Sequence, residues 1–428
     1  MNILISNGRV VDPASGRDEQ ASVALADGAV HAVGTIPAGF KAERSIDASG
    51  CLVLPGLVDL AARLREPGYE HEGMLESEMA AAVAGGVTSL VCPPDTDPVL
   101  DEPGLVEMLK YRAEKMRAAR LYPLGAITRG LAGEVLTEMA ELTEAGCIGF
   151  GQAEVPLGNT QVLQRALQYA STFGYTLWLR PQDPDLGKGV AASGPLATRL
   201  GLAGIPVAAE TIAVFTLIEL MRATGARVHL CRMSSAAGLA LVRAAKAEGL
   251  PLSCDVSINS LHLCDTDIGY FDSRAHLAPP LRQQRDRDAI SAALADGTVD
   301  ALVSDHTPVE ADAKTLPFAE SEAGATGLEL LLPLALQWGE QSGAGLMRAV
   351  EVVSAAPARF LGAAAAAQAP AGLAPGAVAD LCIVDPAHEW QVRPEALKSQ
   401  GKHTPFADYA LRGRTRFTLV GGHVVHQA

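Results

Sequence analysis

Apolar and polar residues alternate at both ends of the chain and cluster in short solid runs between them. Near the start, Ile3-Leu4-Ile5 and Arg9-Val10-Val11 flank Asn7-Gly8, and Ser22-Val23-Ala24-Leu25 and Ala29-Val30-His31-Ala32-Val33 flank Asp27-Gly28. Such period-two runs around Asn-Gly or Asp-Gly predict hairpins. The same texture returns in Asp380-Leu381-Cys382-Ile383-Val384 and in the run from Phe417 to Val425. Neither terminal piece is long enough to bury a core alone, so the two are expected to pair into one small composite β domain.

The middle of the chain reads differently. Ser89-Leu90-Val91-Cys92, Cys147-Ile148-Gly149-Phe150, Thr176-Leu177-Trp178-Leu179 and Ala301-Leu302-Val303-Ser304 have the look of buried parallel strands. Amphipathic segments at 102–119, 160–173, 210–224 and 235–248 separate them. Strand–helix alternation over this length, with no GxGxxG turn opening a helix, predicts an α/β fold of the (β/α)8 TIM-barrel type. The expected division is 1–53 and 366–428 for the β domain and 54–365 for the barrel, with the Ala/Pro/Gly-rich stretch 363–379 as the exit.

Composition narrows the function. The 428 residues are 48% hydrophobic and 19% charged, which supplies a large core and argues against disorder. The net charge of −15 comes without any basic block, so neither nucleic acid nor an anionic membrane is expected as a partner. No apolar run approaches the roughly 18 residues of a membrane span, and the N-terminus has no basic segment leading into an apolar one. Seven cysteines with no CxxC pair suggest reduced thiols, hence a cytoplasmic protein.

The segment from Pro55 to Gly68, PGLVDLAARLREPG, resembles the first barrel strand of the dihydroorotases, a family of the amidohydrolase superfamily that reads PG(F/L)xDxHxHxREPG there. Further similar segments follow in order: Ala82–Thr88, Pro94–Pro98, Ala278–Arg282, Ser304–Pro308 and Lys402–Phe406. The resemblance spans essentially the whole chain. It implies an amidohydrolase-type barrel with a composite β-sandwich domain, in which one or two Zn²⁺ ions activate a water and an Asp shuttles its proton.

Position by position, the family's ligands are missing. Ala61 and Arg63 stand where the resemblance implies the HxH pair, Gly151 where it implies the bridging Lys, and Arg180 and Arg232 where it implies two further histidines. Asp305 alone keeps its type. Of the substrate contacts, Arg65 is retained, while Asp95 and Ala278 replace two asparagines and Val309 replaces a histidine. Strand alternation is expected to turn His229 and His306 away from the barrel axis. No zinc or other cofactor is therefore expected.

Guanidiniums stay protonated when buried and must find carboxylates, water or an anion. Arg63, Arg180 and Arg232 are expected to form an Arg–Asp network with Asp305, Asp95 and Asp183 in place of the metals. The functional expectation is a non-catalytic protein. The resemblance extends to inactive dihydroorotase-like chains that scaffold or regulate bacterial aspartate carbamoyltransferase, and it implies that transferase's catalytic subunit as partner within a hetero-oligomer. An active amidohydrolase of altered chemistry, including a weak dihydroorotase, is the alternative; a sensor using the relic pocket is a third reading.

Overall fold

The computed structural model describes residues 2–362, 370 and 372–428. Most of the stretch expected to leave the barrel, 363–369 and 371, thus lies outside the described residues.

The two ends of the chain share one mixed eight-stranded sheet. Ile3–Asp12 pairs antiparallel with Arg17–Ala26 and parallel with Leu52–Pro55, and Leu52–Pro55 in turn pairs antiparallel with Leu381–Gln391. Ala410–Val420 and His423–Gln427 complete the C-terminal side. Ile3, Ile5, Val23, Leu25, Ile383 and Leu419 meet in one buried cluster, so the terminal pieces build together the core that neither could build alone. Asp27 takes the left-handed backbone that its hairpin turn requires. Asn7-Gly8, expected to turn a hairpin, does not: Ile3–Asp12 runs on as one strand, and left-handed Asn7 sits in a bulge where the register against Arg17–Ala26 shifts.

The barrel strands run in order: Leu57–Asp59, Val87–Cys92, the broken strand Arg120–Pro123 and Gly125–Ala126, Phe150–Gly151, Thr176–Leu179, Arg227–Leu230, Leu252–Ser257 and Ala301–Val303. Neighbours pair in parallel. A parallel bridge from Ala62 to His306 ties the last strand's end to the first and closes the ring. The helices Pro103–Met116, Thr160–Phe173, Val207–Thr224 and Ala236–Ala247 fill the predicted amphipathic segments. Thr160–Phe173 starts on Asn159, whose side chain accepts from the Gln161 and Val162 amides, and ends on left-handed Gly174.

Alternate residues of each strand face opposite ways. Leu57, Leu90, Leu177, Val228 and Leu302 pack outward under the helices, while Val58, Val91, Tyr122, Trp178, Ala301 and Val303 fill the barrel interior. All seven cysteines are unpaired, and six are buried. Among the described residues no helix is long and apolar enough to cross a membrane.

Candidate functional site

The C-terminal ends of the strands bring Arg63, Arg180 and Arg232 together, and the group that joins them is Glu154. Arg63 donates from Nε to Asp95 Oδ2 (2.8 Å), from Nη1 to Thr307 Oγ1 (3.1 Å) and from Nη2 to Glu154 Oε1 (2.9 Å). Arg232 places Nη2 2.5 Å from the same Glu154 oxygen and Nη1 3.1 Å from Asp305 Oδ1. Arg180 reaches Glu154 Oε2 through Nε and the Gln182 side chain through Nη1. The three guanidiniums are all under one-tenth exposed and are matched by the three carboxylates of Asp95, Glu154 and Asp305.

Backbone conformation delivers these groups. Arg65, Ala153, Arg232 and Asp305 adopt positive φ values of 63°, 49°, 55° and 53°. Non-glycine residues in this region are strained, and such strain concentrates where the surroundings over-determine a site. The turn at Ala153 follows the short strand Phe150–Gly151 and carries Glu154 towards the three guanidiniums. Gly151 lies in the wall below, where an added Cβ would sit 3.3 Å from the Trp178 carbonyl oxygen.

The electrostatics follow from burial against pairing. Burial disfavours a charged Glu154, yet Arg180, Arg232 and Arg63 outweigh it and hold the carboxyl well below the usual carboxylate range. For Asp305 burial wins: its acidity is pushed up despite Arg232, helped by the negative charge of Glu154. Burial opposes the charge on Arg232, but Glu154 and Asp305 overcome it and raise its pKa.

A cavity of about 180 Å³ opens beside this network, lined by Arg63, Arg65, Asp95, Glu154, Ala278 and Asp305 among others. Arg65 is tied down: its Nε lies 2.6 Å from Glu72 Oε2 and 2.8 Å from the Pro308 carbonyl, and its Nη2 is 3.4 Å from Glu322. Ala61 is half-buried and packs on the interior cluster. Val309 is buried and takes no part in lining the cavity.

Two expectations need correction, and one residue was not foreseen. Asp183 does not join the arginines; its Oδ1 accepts from the amides of Asp185 and Leu186 and so caps its own turn. The carboxylate that does the joining, Glu154, belongs to no motif and was missed. His229 points into the barrel interior rather than away from it. There Ser253 and Asp255 each lie 2.8 Å from one of its ring nitrogens, and it packs between Trp178 and Phe360. The left-handed turn at Arg232 breaks the alternation on which the outward expectation rested. His306 does point outward, its Nε2 2.7 Å from Glu78 Oε2 on the helix Leu75–Ala84.

This donor set does not fit the family's zinc. A guanidinium has no lone pair to offer, Ala61 and Gly151 bring no donor, and the carboxylates of Asp95, Glu154 and Asp305 already face arginine.

A closed barrel of eight parallel strands with a sheet shared by both termini is the amidohydrolase architecture. An L-hydantoinase (dihydropyrimidinase) from Arthrobacter aurescens has the same fold, with a TM-score of 0.88 at 24% identity, the match covering 99% of this chain and 96% of that one. A family model described as dihydro-orotase-like matches residues 50–237. A dihydroorotase-like protein of Pseudomonas aeruginosa is 44% identical across the whole of both chains. A dihydroorotase of Geobacter sp. is 39% identical over the same extent. The chain belongs to the dihydroorotase family.

Proposed function

We propose that this chain is a non-catalytic, cytoplasmic member of its family that scaffolds or regulates aspartate carbamoyltransferase in pyrimidine biosynthesis. The observation that carries the reading is Glu154 held by three guanidiniums where the family's chemistry needs metal ligands. Without a metal, water keeps a pKa near 15.7, and a lone Asp305 does not generate hydroxide at neutral pH. The Arg–carboxylate network instead ties together the ends of the first, fifth, sixth and eighth strands and the loops after the second and fourth. On this reading the barrel is kept for its surface, and the family's zinc is not part of the protein.

The partner is the transferase's catalytic subunit, in a hetero-oligomer whose repeated copies meet through symmetric contacts. A stable interface of this kind buries at least about 1,000 Å². The experiment is to mix the two purified subunits and follow size and carbamoyltransferase activity together. Co-elution with a more active or larger transferase supports the scaffold. Separate elution at micromolar concentrations with unchanged transferase activity defeats it.

A second reading, a weak dihydroorotase or related amidohydrolase, is favoured by relatives near 39% identity that carry the name dihydroorotase. Metal-dependent cyclisation of carbamoyl-aspartate above a protein-free control would support it.

A further inference from the structure

At the opposite end of the barrel from the arginine network, a second cavity of about 1000 Å³ lies between the helix Pro103–Met116, the starts of the third and fourth strands and the C-terminal strands. Two features of its wall point to one kind of ligand. Lys110, Arg117 and His423 line it, and none of them pairs with a carboxylate among the described residues. Glu114 is the one acidic side chain in the described lining. In a chain of net charge −15, such a concentration of unpaired basic groups stands out.

The second feature is shape: Leu121, Ile148, Val424 and Val425 supply apolar surface. Tyr122 closes the inner end, its hydroxyl buried in the barrel interior beside Ser89. The floor is rigid, because Arg120 donates twice to the fully buried Asp380, at 2.9 and 3.0 Å, and Asp380 also accepts from the Gly421 amide.

We propose that this cavity binds a small amphipathic anion, one apolar or aromatic body bearing one acidic group. The acidic group meets Lys110 and Arg117, and the body lies on Ile148 and Val425. A cavity of this volume is in the range of sites for cofactor-sized and drug-sized molecules. It is separate from the arginine network and does not depend on whether that network has replaced the metals.

The probe is 8-anilinonaphthalene-1-sulfonate, an aromatic body with one sulfonate, titrated into the full-length protein and followed by fluorescence. Saturable binding of one dye per chain is expected, weakening as salt is added. The Lys110→Ala/Arg117→Ala pair should lower affinity about fivefold to tenfold. Ala118→Trp, which fills the cavity from a half-buried position, should abolish binding. Melting curves establish that each variant is folded, and the Lys110/Arg117 pair, on the helix and its C-cap, keeps the test decisive should Ala118→Trp fail to fold. No saturable binding, or binding indifferent to the folded variants, would overturn the proposal.

Discussion

Nη2 of Arg232 lies 2.5 Å from Oε1 of Glu154, joining the end of the sixth barrel strand to the loop after the fourth. Arg63 shares the same oxygen, and Arg180 takes the other. One carboxylate therefore neutralises much of the charge that three guanidiniums bring into a space under one-tenth exposed. Everything else predicted for the site depends on this balance.

Removing that carboxylate should be costly. Glu154→Gln leaves three buried guanidiniums facing only Asp95 and Asp305; breaking a fully buried ion pair from one side costs about 3–5 kcal/mol, and the Glu154 side chain is itself a third exposed, which lowers the cost. Urea denaturation should show a loss approaching this size. Asp305→Asn should cost clearly less, because Asp305 faces one guanidinium and Arg232 keeps Glu154. Equal effects of the two substitutions would mean that Glu154 is not the hub.

The same pair predicts a pH dependence. Glu154 is held below its unfolded value of about 4.3. Its contribution is thus fully present above that pH and falls away as acid carries the protein down towards the depressed native value. Asp305 has the opposite sign: its raised native pKa means that its contribution is full below about 3.9 and is lost as pH rises through the native value. Below about pH 4.3 the stability of the native chain should therefore drop more steeply than that of Glu154→Gln. Parallel acid profiles for the two proteins would contradict the assignment.

Much of the fold was legible because it rests on periodicity. The hairpin around Asp27-Gly28, the pairing of the two ends of the chain, the helix Thr160–Phe173 and the strand Thr176–Leu179 follow from alternation, caps and turn residues that act locally, whereas the bulge at Asn7-Gly8 reads locally just like a turn. That Arg63 and Arg232 would need acidic partners was legible too, since a guanidinium cannot shed its charge. Which acid would serve was not. Glu154 reaches the site only because Ala153 turns left-handed, and nothing in Gln152-Ala153-Glu154 marks such a turn. Asp183, nearer to Arg180 in sequence, is consumed by its own loop. His229 was misplaced for a related reason, as parity counting fails across the left-handed Arg232.

His306 offers a test of the outward face. Its ring is fully buried, pairs with Glu78 and accepts from the Gly327 amide, while Glu78 also accepts from the Gln400 amide. One histidine thus links the last strand, the helix Leu75–Ala84 and the C-terminal segment. His306→Ala should cost at least about 1–3 kcal/mol, because the buried Glu78 carboxylate loses its ring N–H donor. The loss should appear in the melting temperature.

Returning single histidines should not return hydrolysis. Ala61→His or Arg63→His supplies one imidazole where three or more donors are needed, and Arg180 and Arg232 still repel a divalent cation. Cyclisation of carbamoyl-aspartate with added zinc should stay at the protein-free rate for both variants. Metal-dependent turnover by either one would show that the site is closer to function than its arginines imply.

The most direct test of the central claim, that arginines and Glu154 have taken the place of the metals, is the zinc content of the native protein purified without chelators and dialysed. The account predicts far less than one zinc per chain. One or two equivalents retained through dialysis, and lost on substituting Asp305, would contradict it.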